Sequence, residues 1–144
     1  MTVLISERST KVQDLKSIRR KTVKLHPANY AHQFFFTGYD ERFVLVNQIR
    51  YEKSLIVLPN QLIENWPVFS ITELEFHHFD ALITAAPEII LLGTGPKHIF
   101  PNHSLLAQIT KTGIGIEIMD TRAACRTFNI LAEEGRHIAA ALLV

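Results

Sequence analysis

A glycine-rich loop and an aspartate give the sequence its nearest approach to a cofactor site. Gly93-Thr94-Gly95 follows an apolar strand, and Asp120 ends the next strand. In dinucleotide-binding folds such glycines let the backbone approach a phosphate, and an acid binds the ribose. Here His98 occupies the third glycine position, and Pro96 removes a backbone donor that the phosphate would need. We therefore expect no nicotinamide or flavin site and assign no cofactor.

The same loop can still take part in a small-molecule site. Ligands of open α/β sheets lie beyond the carboxyl ends of the strands. Two groups of residues are predicted at such ends: Gly93, Thr94, Gly95, Lys97 and His98 after one strand, and Asp120, Thr121 and Arg122 after another. Lys97 and Arg122 would be the cations that hold an anion. The competing interpretation, which we favour, is that the glycines shape a turn and Asp120 caps a helix.

The histidines and the cysteine do not combine into a reactive site. His77 and His78 are neighbours on a predicted helix, about 100° apart, so they cannot face one ion. His98 and His103 share a loop region without an obvious third ligand. Cys125 lies at the edge of an apolar helix face with no adjacent histidine to activate it. We predict no metal site, a packed and unreactive thiol, and no catalytic residue.

One face of the helix that carries Cys125 is polar. Arg122, Arg126 and Asn129 follow one another at helical spacing along it, with Glu133 beyond them. This face is either a solvated flank or a surface for a protein partner, and we name Arg122, Arg126 and Asn129 as the candidate partner residues.

Composition indicates one folded domain with a charged extension. The chain has 144 residues, of which 47% are hydrophobic and 20% charged, as in ordinary globular proteins. No apolar run reaches the roughly 18 residues of a membrane span. Seven basic and two acidic residues lie in the first 30, although the whole chain carries only +1. We predict a flexible basic extension over 1–24 and a single α/β domain over 25–144. Nucleic acid is not the expected partner, because no aromatic side chain is interleaved with those cations.

The first half of the domain is predicted to contain a hairpin, a strand and a helix. Asn47-Gln48 joins two apolar runs over 43–51, which is typical of a two-residue turn. Residues 54–58 form a further buried strand. Ser70 and Glu73 have capping-box spacing, and apolar residues then recur at helical spacing, so we predict one helix over about 71–85.

The second half alternates regularly between strands and helices. Strands are predicted over 88–92, 114–119 and 136–144, and helices over about 102–112 and 121–134. Continuous apolar strands imply that both faces of a sheet are covered, as in a parallel β-α-β-α-β unit. The predicted fold is a single three-layer α/β domain: a mixed central sheet with an antiparallel N-terminal hairpin and a C-terminal parallel unit.

Several blocks of the sequence resemble a known family. They read RYEKSL at 50–55, EIILLGTG at 88–95, GIGIEIMDT at 113–121, AACRTFNIL at 123–131 and EGR at 134–136. They are similar to a family of small single-domain proteins of unknown function. The family includes the mitochondrial assembly factor three of respiratory complex I (NADH:ubiquinone oxidoreductase), and this chain resembles its bacterial branch. The resemblance covers about residues 25–144 and implies a compact three-layer α/β domain.

The resemblance also implies a function without catalysis. The mitochondrial members act through protein partners, and no catalytic residue carries over to this chain. We therefore expect a non-enzymatic protein-interaction module of unidentified partner, cytoplasmic in a bacterium or mitochondrial in a eukaryote. The alternative is an anion-binding or enzymatic domain that uses the loop 93–98 with Asp120 and Arg122.

Overall fold

The computed structural model describes residues 30–144, and the predicted extension over 1–24 lies outside the described residues. Eight strands and three α-helices follow one another through this part of the chain. The strands are β1 (Phe36–Tyr39), β2 (Val44–Val46), β3 (Ile49–Tyr51), β4 (Leu55–Val57), β5 (Leu62–Ile63), β6 (Ile89–Gly93), β7 (Gly115–Met119) and β8 (Ile138–Leu142). The helices are α1 (Asp80–Ala85), α2 (His103–Thr110) and α3 (Thr121–Glu133).

The central sheet has five strands in the order β5-β4-β8-β6-β7. β6 pairs in parallel with both β7 and β8, whereas β4 pairs antiparallel with β5 and β8. The predicted parallel β-α-β-α-β unit is therefore present as β6-α2-β7-α3-β8. The sheet is mixed, as predicted, because β4 and β5 add antiparallel pairs to the parallel unit.

Both faces of this sheet are covered, which makes three layers. Along β8, Ile138, Ala140 and Leu142 belong to one core, and Ala139 and Ala141 belong to the other. On the first face the strands meet buried residues of α3, namely Ala124, Cys125, Phe128 and Ala132. On the second face they meet Leu82 of α1 with Leu105 and Ile109 of α2. The predicted fold class is confirmed.

The predicted hairpin is also present, and it belongs to a separate small sheet, β1-β2-β3. Asn47 and Gln48 join β2 to β3 with φ of 50° and 68°, the left-handed conformations of a two-residue hairpin turn. Phe36, Val44 and Val46 bury their side chains in the core that contains α3. The small sheet thus covers α3 from outside.

The prediction of a single helix over 71–85 is wrong, because the structure has three short helical segments there instead of one long α-helix. Two 3₁₀ turns, Ile71–Glu73 and Phe76–Phe79, precede the short α1. Leu74 and Glu75 between them are extended, with ψ of 130° and 164°. Ser70 accepts a hydrogen bond from Thr72 N, but the Glu73 carboxylate accepts from Phe69 N rather than from Ser70. The apolar residues of this segment are spaced so that they pack into the core, but that spacing does not require a continuous helix.

Candidate functional site

The loop after β6 lies where the carboxyl ends of three central strands meet. Gly93 pairs with Met119 of β7 and with Leu142 of β8. The backbone continues the ladder past the strand ends, since Thr94 N donates to Met119 O at 2.9 Å and Leu143 N donates to Gly93 O at 2.9 Å. The sequence-predicted residues after β6 and β7 are therefore neighbours.

Thr94 is buried and its hydroxyl is engaged within its own loop. The hydroxyl contacts the carbonyl oxygen of Lys97 and accepts a hydrogen bond from Ile99 N at 3.2 Å. Its side chain therefore stabilises the turn from Thr94 to Ile99, and its oxygen faces the protein rather than a ligand.

Gly95 is bonded to Thr121, the first residue of α3. Gly95 N donates to Thr121 Oγ1 at 2.8 Å, and Thr121 N donates to Gly95 O at 2.9 Å. The same Thr121 hydroxyl donates to Leu143 O at 2.7 Å. Thr121 thus joins the loop to the strand end beyond β8. Sequence analysis placed Thr121 at this edge without assigning it this role, because the role depends on the approach of β8.

The two loop glycines are needed for different reasons. Gly95 has φ of 97°, which an L side chain rarely adopts. A Cβ on Gly93 would lie 2.7 Å from Leu142 Cδ2 and 2.9 Å from Thr121 Oγ1, so close packing of α3 against β6 and β8 requires the glycine. These observations support the interpretation in which the glycines shape the turn.

Asp120 caps α3. The two cations of the predicted anion site, Lys97 and Arg122, do not line the same cleft. Asp120 Oδ1 accepts a hydrogen bond from Ala123 N at 2.9 Å. Arg122 lines a cleft of about 10 Å³ with Gly95, while Lys97 is exposed and is not part of that lining. The same cleft is lined by the acidic residues Asp40 and Glu41. Its volume is close to the minimum for one water molecule.

The predicted partner face on α3 divides into two parts. Asn129 is half-buried, because its amide Nδ2 donates to Phe36 O at 2.8 Å and its Oδ1 accepts from Phe36 N at 2.9 Å. Arg122 and Arg126 are exposed beside Tyr39. The hydrogen bond to the Tyr39 hydroxyl raises the pKa of Arg126, so this side chain stays cationic. These two arginines therefore present positive charge at the surface.

A groove lined by both apolar and polar side chains, which sequence analysis missed, lies on the opposite face of the central sheet. The Phe100 groove has a volume of about 650 Å³ and is formed by two segments distant in sequence. Its lining residues are Ile71, Thr72, Leu74, Glu75, Phe76, Ile99, Phe100, Pro101, Asn102, Ser104, Leu105 and Gln108. Phe100 is 65% exposed, and Phe69, two residues before the groove, is 81% exposed. The run Ile99-Phe100-Pro101 in a loop was the available sequence signal.

The cysteine is buried and unlike a reactive thiol. Desolvation raises the pKa of Cys125 to about 12, although Arg126 lowers it in part. Within residues 30–144, no three histidine, cysteine or acidic side chains are grouped so that they could hold a metal ion. No helix in the same range is long and apolar enough to cross a bilayer.

Comparisons with known proteins identify relatives over most of the described chain. The family model described as "Protein of unknown function (DUF498/DUF598)" matches residues 36–143. Human "NADH dehydrogenase (ubiquinone) 1 alpha subcomplex assembly factor 3" is 32% identical over 128 residues, which cover 87% of this chain and 68% of that protein. The "13 kDa major membrane protein" of Francisella tularensis is 31% identical over 110 residues, which cover 76% of this chain and 89% of that protein.

A solved structure shows the same fold. The NMR structure of a Xanthomonas campestris protein is 38% identical and superimposes with a TM-score of 0.72, covering 85% of this chain and 92% of that one. The family match and the structural match agree with the resemblance drawn from the sequence blocks. This chain therefore belongs to the DUF498/DUF598 family of proteins of unknown function, and the relatives of this chain include proteins named complex I assembly factor 3.

Proposed function

We propose that this protein is a non-enzymatic protein-interaction module with a role like that of an assembly factor. Its homology to proteins named complex I assembly factor 3 supports such a role. The observation that carries the proposal is the Phe100 groove, where large apolar side chains are exposed around a concave surface. Aromatic side chains of this kind are enriched in the centres of protein interfaces.

The occupant of the Phe100 groove is an apolar segment of a partner polypeptide. Ile71, Leu74 and Phe76 line it from one segment of this chain, and Ile99 and Phe100 line it from the other. Glu75 contributes one carboxylate to the lining, so a basic residue that flanks the apolar segment would be favoured. Burial of an exposed phenylalanine is worth roughly 2–3 kcal/mol, enough to form a binding hot spot.

Charge on α3 supplies a second contact region. Arg122 and Arg126 are exposed on the other face of the central sheet and would meet acidic groups of a large partner. This contact would chiefly accelerate association and weaken with salt. A single, unreactive thiol suits a reducing compartment, so we place the protein in the cytoplasm of a bacterium or the mitochondrion of a eukaryote.

Affinity purification of the full chain at native expression tests the proposal. Phe100→Ser is compared with Ile49→Ser, a matched control whose isoleucine is 58% exposed on β3. We expect a defined set of proteins to accompany the wild type and Ile49→Ser and to be lost from Phe100→Ser, with all three chains equally folded by circular dichroism. Recovery of the same proteins with Phe100→Ser, or of none above background with the wild type, would contradict the proposal.

An anion site beside the loop is the alternative function. The observation in its favour is that Arg122 lies beside Gly95 at the carboxyl ends of parallel strands. Its support is weaker, because the Thr94 hydroxyl and Gly95 N–H are already engaged within the protein. Thermal melting with phosphate and with nucleotides tests it: an increase in Tm for the wild type that Arg122→Gln and Lys97→Gln abolish would favour the alternative.

A further inference from the structure

β7 forms one end of the central sheet and leaves an edge open. It pairs with β6 on one side, and no strand within residues 30–144 pairs with its other side. The pairing with β6 is unbroken from Gly115 to Met119, so β7 has no bulge, and it contains no proline. Bulges and prolines are common protections of edge strands. The strand at the opposite end of the sheet, β5, has only two residues, so β7 is the longer edge.

Hydrogen bonds to β6 show which backbone groups of β7 are directed outward. Gly115 N donates to Glu88 O at 3.0 Å, and Met119 O accepts from Thr94 N at 2.9 Å. Because the backbone groups of successive residues point alternately to the two sides of a strand, the N–H and C=O groups of Ile116 and Ile118 point away from β6. Within residues 30–144 these groups have no hydrogen-bond partner.

The side chains along this edge alternate in chemistry. Ile116 and Ile118 are half-buried and pack against the core on the α2 side of the sheet. Glu117 is exposed on the opposite side, because α3 packs on β6 and β8 and leaves this part of β7 uncovered. In the part of the chain that the structure describes, Glu117 forms no ion pair. The edge therefore presents an acidic side chain between two apolar ones.

This pattern specifies the strand that fits beside it. In an antiparallel pair, Ile116 and Ile118 each exchange both ladder hydrogen bonds with one partner residue. The residue opposite Glu117 then lies in a pair without hydrogen bonds, where side chains approach most closely, and opposite charges stabilise such a pair. A second copy of the chain is less suitable. In the register that pairs Ile116 of each copy with Ile118 of the other, the two Glu117 carboxylates lie directly opposite each other.

We propose that the open edge of β7 binds an extended segment of a partner protein as a sixth, antiparallel strand of the central sheet. The segment carries lysine or arginine opposite Glu117 and apolar residues opposite Ile116 and Ile118. In binding of this type the backbone hydrogen bonds supply affinity and the side chains supply specificity. The proposal does not rest on the Phe100 groove, because no residue of β7 lines that groove.

Amide hydrogen exchange of the full chain, measured by NMR, tests whether the edge is open. We expect the amides of Ile116 and Ile118 to exchange at least about a hundredfold faster than those of Gly115 and Glu117, which are bonded to β6. Slow exchange of Ile116 and Ile118 in the isolated chain would show that the edge is already covered and would overturn the proposal. Slow exchange that becomes fast on dilution would assign the edge to a second copy and equally overturn it.

Two synthetic peptides test the chemistry of the partner strand. In both, valine alternates with threonine, and the central threonine is replaced by lysine in one and by glutamate in the other. We expect the lysine peptide to protect the amides of Ile116 and Ile118 and to bind the wild type at least about fivefold more tightly than the glutamate peptide. Glu117→Lys should reverse this preference. The matched control is Glu64→Lys, an exposed carboxylate just after β5 at the other edge of the sheet, and it should retain the preference. No binding of the lysine peptide, or an unchanged preference in Glu117→Lys, would refute the proposal.

A proline variant tests the backbone contribution. Ile118→Pro removes an N–H that points away from β6 and no hydrogen bond of the existing ladder, and proline is tolerated at such edge positions. We expect it to fold and to bind the lysine peptide at least about tenfold more weakly than the wild type, whereas Phe100→Ser should bind the peptide as the wild type does. Undiminished binding by Ile118→Pro, or loss of binding in Phe100→Ser, would place the peptide elsewhere and overturn the proposal. If Ile118→Pro does not fold, the comparison of Glu117→Lys with Glu64→Lys decides.

Discussion

Asn129 of α3 pairs with the backbone of Phe36 in β1 through both halves of its side-chain amide, at 2.8 Å and 2.9 Å. This pair fixes the small sheet on α3 and satisfies two peptide groups at the start of β1. The Phe36 ring also packs edge-on against Phe128 of the same helix, with centroids 5.2 Å apart. The small sheet is thus held by a polar contact beside an apolar one.

Asn129→Ala is expected to lower the free energy of unfolding by about 2–3 kcal/mol, because both backbone partners lose their hydrogen bonds in a partly buried site. Urea unfolding followed by circular dichroism measures the change. Glu133→Gln, an exposed substitution on the same helix, should alter it by less than about 0.5 kcal/mol. Equal stability of Asn129→Ala and the wild type would show that β1 is held by packing alone.

Thr121→Val should destabilise the protein by about 2 kcal/mol, since the isosteric side chain removes the acceptor of Gly95 N and the donor to Leu143 O in a buried site. Thr121→Ser retains the hydroxyl and is the matched control, for which we expect a smaller loss. The denaturant concentration at the midpoint of unfolding is measured for both variants and compared with that of the wild type. If the serine variant lost as much stability as the valine variant, the methyl group rather than the hydroxyl would be the important part of Thr121.

Cys125 should be inert in the folded protein. With its pKa raised from 9.0 to about 12, the thiolate fraction near pH 8 falls about a thousandfold. Ellman's reagent should therefore react slowly with the native chain and quickly in denaturant. Because the folded pKa is the higher one, its contribution to stability is present below pH 9 and is lost as the pH rises towards 12. Rapid labelling of native protein at pH 8 would contradict this burial.

His137 is expected to make the protein less stable in mild acid. Burial lowers the pKa of His137, against an opposing effect of Glu88, and nearby His32 lowers it further. The unfolded chain then binds more protons, so the contribution to stability is present above pH 6.5 and is lost as the pH falls through the folded pKa. His137→Phe keeps a ring to stack on Tyr30 and should reduce the difference in unfolding free energy between pH 8 and pH 5.

The titration of His137 can also be followed directly. Its ring protons, observed by NMR, should report a pKa below that of a histidine in a denatured sample of the same chain. Equal values in the two states, or an undiminished pH dependence in His137→Phe, would mean that another group causes the loss of stability in acid.

Short sequence patterns, such as helix caps and turn residues, predicted the second half of the fold well. Asp120 caps α3, as expected from its position. The helices predicted over about 102–112 and 121–134 correspond to α2 and α3, and each is followed by a glycine with positive φ, Gly113 at 88° and Gly135 at 76°. Each of these features depends on a few consecutive residues. The turn of Asn47 and Gln48 was predictable for the same reason.

Features that depend on distant contacts were not predictable in this way. The segment over 71–85 has helical spacing, yet Leu74 and Glu75 are extended between two short turns. The Phe100 groove needs this irregular segment beside residues 99–108. Asn129 shows the same limit, because its spacing indicated a surface residue and only the position of β1 reveals its hydrogen bonds. The ligand and partner residues named from the sequence stay predictions.

The place of β8 in the central sheet has a consequence for biosynthesis. It is the last strand along the chain, yet it lies between β4 and β6, and Leu55 pairs with Leu142. While a ribosome is still elongating the polypeptide, the earlier strands have no central neighbour, so their edges remain open to mispairing. Completion of the sheet must wait for translation to pass residue 142, and a nascent chain stalled before β8 is a natural target for chaperones.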